Sequence, residues 1–261
     1  MTAILDRSEV LSVLFHPRKD HSFPYSTTDV RLISVDVDAG VTIGGRLYLA
    51  ESFSPMIIFF HGNGEIASDY NDLAHFYKQI GITFLVWDYR GYGLSTGTPT
   101  AGNLLEDAVT VVRQIEDICR ANELAPSRIY LMGRSLGSAA AIEVAVRLPE
   151  GLNGIIIESG FSDTVSLLLR LGTMLQYTSD DINGFGNLTK IKKIKIPILV
   201  IHGEADTLIP PSDGRELYEA CNSYHKRLVL IPGGRHNDLM SVGLKTYFDA
   251  VESFVYRDTI D

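Results

Sequence analysis

Two cysteines are all that the 261 residues contain. Cys119 and Cys221 form no CxxC or zinc-like spacing, and each falls in a stretch that reads as helix. No disulfide scaffold is implied, and two reduced, small apolar side chains in a reducing compartment are expected. Basic charge is scarce as well. Lys and Arg number 23 against 32 Asp and Glu, a formal net charge of -9. Such a surface repels phosphate backbones and anionic lipid heads, which argues against nucleic acid and general membrane binding. No apolar run approaches the ~18 residues that span a bilayer. Met1 to Phe15 carries Asp6, Arg7 and Glu9 and no small-residue cleavage site, so a secretory signal is not expected and the predicted location is cytoplasmic. No His, Cys or Asp cluster has zinc spacing and no GxGxxG follows a strand, so neither metal nor organic cofactor is expected. No repeat or linker divides residues 1–261, which predicts one domain.

What is present reads as an ordinary globular chain, 45% hydrophobic and 21% charged, long enough for one large α/β domain. Its first ~25 residues suggest a short amphipathic helix and a loop. Val30 to Val37 and Val41 to Leu49 alternate apolar with polar residues around Asp38-Ala39-Gly40, which predicts an antiparallel hairpin. Solid apolar runs then predict strands buried on both faces: Met56 to Phe60, Ile82 to Trp87, Arg128 to Met132, Gly154 to Ile157, Ile196 to Ile201 and Arg227 to Ile231. Helical patterns separate or follow them: Ile66 to Gln79, Leu104 to Arg120, Leu136 to Arg147, Asp213 to Ala220 and Leu244 to Val255. This alternation predicts a mostly parallel eight-stranded sheet with helices on both faces. Functional groups in such sheets gather beyond the C-terminal strand ends.

One interval, about residues 160–195, exceeds what a crossover needs. It holds an apolar part, Thr164 to Leu175, then Gly184 and Gly186, then Lys190, Lys192, Lys193 and Lys195 among isoleucines. It reads as a small lid; the alternative is a plain crossover helix with a loop. Leu167, Leu168, Leu171, Met174 and Leu175 suit an acyl-binding wall or simple core. The lysines suit a solvated face or an anion-docking patch.

Four strand ends carry chemistry. Gly133-Arg134-Ser135-Leu136-Gly137 lies between a predicted strand and a predicted helix, where a serine is forced onto a sharp turn with its hydroxyl raised into the cleft. His61-Gly62-Asn63-Gly64 is a glycine-rich turn that exposes backbone amides. Acyl transfer needs two such donors for an oxyanion, and the amides of Asn63 and Leu136 are the candidates. His61 itself reads as a brace for the loop. His202-Gly203-Glu204-Ala205-Asp206 offers an acid able to orient a histidine on the next loop. Asp206 is preferred to the positional rival Glu158 by the order Ser, Asp, His, and Glu204 and Asp213, near in sequence, are weaker candidates. Gly233-Gly234-Arg235-His236-Asn237-Asp238 supplies that histidine on a flexible loop. His16, His21, His75 and His225 read as surface or packing residues.

With these motifs and Asp88-Tyr89-Arg90-Gly91-Tyr92-Gly93-Leu94-Ser95, the chain resembles the α/β-hydrolase superfamily from about Val30 to Val255. The resemblance implies that the Asp88–Ser95 segment braces the loops around the nucleophile. Within the superfamily the loops and short lid resemble the branch of eukaryotic protein depalmitoylases and bacterial hydrolases of unknown substrate. That implies a serine hydrolase acting on a small ester or thioester, with Ser135 as nucleophile, His236 as base and Asp206 as its orienting acid, and no cofactor. A peptidase or amidase keeps the same triad, as do cofactor-free perhydrolases and lyases. Dehalogenases and epoxide hydrolases, with Asp in place of Ser135, do not fit. A non-catalytic binding module is the remaining alternative.

Overall fold

Alternate residues of the central strands face opposite ways, and both ways are apolar. The computed structural model describes residue 5 and residues 7–21, 29–173 and 184–256. Helix α1 (Ser8–Leu14) precedes the hairpin β1 (Val30–Asp38) and β2 (Val41–Tyr48). Then follow β3 (Met56–Phe60), a 3₁₀ turn (Ala67–Tyr70), α2 (Asn71–Gln79), β4 (Thr83–Trp87), α3 (Ala101–Arg113) and α4 (Ile115–Ala121). Next come β5 (Ile129–Arg134), α5 (Gly137–Arg147), β6 (Gly154–Glu158), α6 (Thr164–Arg170) and α7 (Asn187–Ile191). The chain continues through β7 (Ile198–Gly203), α8 (Pro211–Ala220), β8 (Lys226–Ile231) and α9 (Leu239–Tyr256).

The strands form one eight-stranded sheet in the order β1-β2-β4-β3-β5-β6-β7-β8. β1 and β2 pair antiparallel, as does β2 with β4; the remaining pairs are parallel. Met56, Ile58 and Phe60 pack with α3 and α5 on one face, through Leu104, Leu105, Ala139 and Ile142. Ile57 and Phe59 pack with α2 and α9 on the other, through Tyr77, Tyr247 and Phe254. Burial on both faces explains why these strands read as unbroken apolar runs.

Three helices depart from the sequence pattern. Ile66 to Gln79 begins as the 3₁₀ turn and becomes α-helical only at Asn71. Leu104 to Arg120 is two helices, because Gln114 takes ψ +2° and ends α3. The last helix starts at Leu239 and kinks at Gly243, where φ is -136° and ψ +36°. A Cβ at Gly243 would stand 2.4 Å from Ile231 Cγ2, so glycine permits the helix to press onto β8. That kink hides the first turn of α9 from a periodicity reading.

Candidate active site

The serine turn is built by contacts that leave no room for side chains. Ser135 follows the last residue of β5 with φ +51°, a left-handed conformation that is strained for a non-glycine residue. Its amide donates to the Glu158 carbonyl at 2.9 Å, tying the turn to β6. A Cβ on Gly133 would lie 2.3 Å from the Gly137 carbonyl oxygen. Strand and helix therefore pass in near contact, and Ser135 is raised at the start of α5 beside Leu136.

His236 reaches this turn from the loop after β8. Its Nε2 is 3.0 Å from Ser135 Oγ, and its Nδ1 is 2.7 Å from Asp206 Oδ2. The structure thus brings Ser135, Asp206 and His236 into one hydrogen-bonded line. Asp206 Oδ1 accepts the amides of Leu208 and Ile209, each at 2.9 Å. Burial raises the Asp206 pKa, but hydrogen bonding and attraction to His236 and the Ile209 amide outweigh it and hold the carboxyl below its ordinary range. An ionised Asp206 only accepts, so Nδ1 of His236 carries the proton and Nε2 is left to accept from the serine hydroxyl.

His202 lies behind the acid. Its side chain is fully buried, Nε2 donates to the Ile209 carbonyl at 2.8 Å, and the same nitrogen is 3.6 Å from Asp206 Oδ2. Burial is the largest influence on it and lowers its pKa, against the Ile209 bond and the Asp206 charge. It is therefore a neutral strut for the acid loop.

Asn63 follows β3, and its side chain is fully engaged. Oδ1 accepts from the His16 amide and the Tyr92 hydroxyl, each at 2.8 Å. Nδ2 donates to the Val13 carbonyl at 3.2 Å and meets His16 Nδ1 at 2.8 Å. His16 is thereby drawn to the site, where the sequence suggested a surface or packing residue. His61 is buried, with Nδ1 2.8 Å from the Gly62 carbonyl and Nε2 3.4 Å from Asp88 Oδ1. Tyr89 donates its hydroxyl to the His61 carbonyl, and Asp88 accepts the Ala67 amide. The Asp88–Ser95 loop and His61 thus brace the Asn63 turn together.

Ser135 and His236 line a cavity of about 150 Å³ walled by Leu14, Leu136, Leu167, Leu171 and Leu208. Leu14 from α1 was not foreseen as part of it. Leu168 is instead core, and Met174 and Leu175 lie outside the described residues. The rival acids sit elsewhere. Glu158 accepts from Arg134 Nε and the Tyr247 hydroxyl, at 3.1 and 2.7 Å. Asp213 pairs with Arg170 at 3.2 Å, and Glu204 is exposed. Lys190 pairs with Glu143 at 2.6 Å, while Lys192, Lys193 and Lys195 are exposed and Ile191 and Ile194 buried, as on a solvated face.

Among the described residues, no His, Cys, Asp or Glu group is placed to hold a metal ion, and no helix is long and apolar enough to cross a membrane. A family model described as serine aminopeptidase, S33, matches residues 52–178 and 186–241. The uncharacterised protein YfhR of Escherichia coli K12 is 32% identical over 197 residues, 74% of this chain and 66% of that protein, so this chain spans slightly under two thirds of that relative. The Pyrococcus furiosus esterase Pf2001 superposes with a TM-score of 0.75 at 19% identity, covering 95% of this chain and 99% of that one. A soluble variant of the Saccharomyces cerevisiae monoglyceride lipase, solved with a substrate analogue, gives 0.69 at 16% identity, covering 93% and 100%.

Proposed function

Since this chain belongs to the serine aminopeptidase S33 family of α/β-hydrolases, we propose that it hydrolyses a carboxylic ester or thioester of a small acyl substrate through Ser135, His236 and Asp206. The observation that carries the proposal is the line of two hydrogen bonds, 2.7 and 3.0 Å, that ends on a serine facing a leucine-walled cavity. Ser135 attacks the carbonyl as His236 accepts its proton. The oxyanion rests on the amides of Asn63 and Leu136. His236 then protonates the leaving group, and water releases the acyl-enzyme by the reverse roles. Of the segment at about 160–195 that reads as a small lid, Leu167 and Leu171 wall the cavity, and residues 174–183 lie outside the described residues.

The family description also raises an aminopeptidase reading. Such an enzyme needs a carboxylate near the serine to hold the substrate's ammonium. No carboxylate lines the cavity among the described residues, and its one arginine is Arg134. An adjoining cavity of about 580 Å³ that shares Arg134, His236 and Asn237 is lined by Glu65, Asp69, Asp72 and Glu158, so aminoacyl amides belong in the substrate comparison. The buried free thiols of Cys119 and Cys221, whose pKa values burial raises, suit a reducing, cytoplasmic setting.

The deciding experiment is hydrolysis of matched short-chain esters, thioesters and aminoacyl amides, with and without Ser135→Ala. The variant is expected to stay folded, to lose at least ~10³ in kcat and to escape fluorophosphonate labelling. Unchanged hydrolysis by Ser135→Ala would refute the assignment.

A further inference from the structure

Arg134 precedes the serine and belongs to no part of the relay, yet it is only 9% exposed. Its Nη2 donates to the carbonyl of His236 at 2.8 Å and to Asn237 Oδ1 at 2.9 Å. Its Nε donates to Glu158 Oε1 at 3.1 Å, and its Nη1 donates to Glu65 Oε1. Glu65 turns its second oxygen to the Gly62 amide at 2.7 Å and the Tyr70 hydroxyl at 2.6 Å. Glu158 turns its second oxygen to the Tyr247 hydroxyl. One guanidinium therefore reaches the histidine's own peptide group on one side. On the other side it reaches, through Glu65, the peptide next to Asn63.

A buried charge is tolerated only when paired and hydrogen-bonded on all sides, and this fork meets that condition. Burial opposes the Arg134 charge, but Glu65 foremost, then Tyr70 and Glu158, outweigh it and raise its pKa further. Glu65 is held low by Arg134 in spite of its own burial. Gly62 makes the passage: a Cβ there would stand 2.6 Å from Arg134 Nη1.

We propose that Arg134 is a positioning residue, a buried clamp that locks the His236 loop to the Asn63 turn so that base and oxyanion donors keep their places together. This rests on the reading of Ser135 as the nucleophile. The His236 loop holds Gly233 and Gly234 and lies between β8 and α9, so it has no helix or strand of its own to fix it. Lysine cannot replace the clamp, because a single ammonium lacks the planar fork that spans four acceptors.

The test compares the purified wild type with Arg134→Lys and Asn237→Ala, using p-nitrophenyl acetate. Thermal melting and the downfield proton resonance of His236 Nδ1–H are followed alongside. Asn237→Ala removes one contact of the clamp and leaves both glutamate pairs intact. It is expected to melt near wild type and to lose about tenfold in kcat with KM within about twofold, as misplacement of a reacting group does. Arg134→Lys is expected to lose about 10² in kcat and to broaden the resonance. If it fails to fold, Asn237→Ala alone decides. A kcat within twofold of wild type with the resonance intact, in whichever variants fold, reduces Arg134 to a structural role and overturns the clamp. Hydrolysis that survives in Ser135→Ala overturns the nucleophile instead, so the two failures are distinct.

Discussion

Gly137 and Phe60 touch through their backbones: a Cβ on Gly137 would stand 2.0 Å from the Phe60 carbonyl oxygen. The end of β3 and the start of α5 are thereby held in register, and with them the two turns that carry Asn63 and Leu136. Gly137→Ala must push them apart. It is expected to cost about 3 kcal/mol, the upper range for overpacking against rigid backbone, read as a lower urea midpoint.

Asp206→Asn keeps an oxygen for the amides of Leu208 and Ile209. The new amide NH₂, however, favours a proton on Nε2 of His236, the wrong tautomer. A kcat loss of about 10⁴ with near-normal melting is expected, by analogy with other serine triads. Steady-state kinetics beside circular dichroism checks both halves, and a loss below tenfold would remove Asp206 from the relay.

His202 makes stability depend on pH. Burial lowers its pKa from the ordinary 6.5. Below pH 6.5 the unfolded chain therefore takes up a proton that the folded chain refuses. Its contribution is intact above pH 6.5 and is lost as pH falls toward the folded pKa, by at most about 1.4 kcal/mol per pH unit. Asp206 has a lowered pKa too, so its loss begins only near the ordinary aspartate value of 3.8. His202→Gln, which keeps a donor for the Ile209 carbonyl, should show a shallower decline in urea stability between pH 6.5 and 5. Parallel declines would contradict this account.

The cavity wall should set acyl preference. Leu167→Phe intrudes on it, and the ratio of kcat/KM for hexanoate over acetate esters is expected to fall about tenfold. An unaltered ratio across a p-nitrophenyl ester series would place the acyl chain elsewhere.

The central strands were legible because burial on both faces writes itself as runs such as Ile155-Ile156-Ile157. Ser135, Asp206 and His236 were selected by chain order at strand ends, a rule that parallel sheets make physical. Arg134 was visible only as the variable position of its motif. Its partners Glu65 and Asn237 lie 69 and 103 residues away, and such pairings leave no periodic trace. The bonds of Asn63 to Val13 and His16 were hidden for the same reason. A break such as Gln114 is hidden differently, since its neighbours keep helical spacing across it.

Serine at position 135 adopts a backbone that glycine would occupy without strain. Ser135→Gly should therefore melt later than the parent, by an increment worth about 1 kcal/mol, while losing the hydroxyl. Selection for folding alone would push this position toward silence; the protein carries backbone strain at the very residue where its chemistry is proposed to begin.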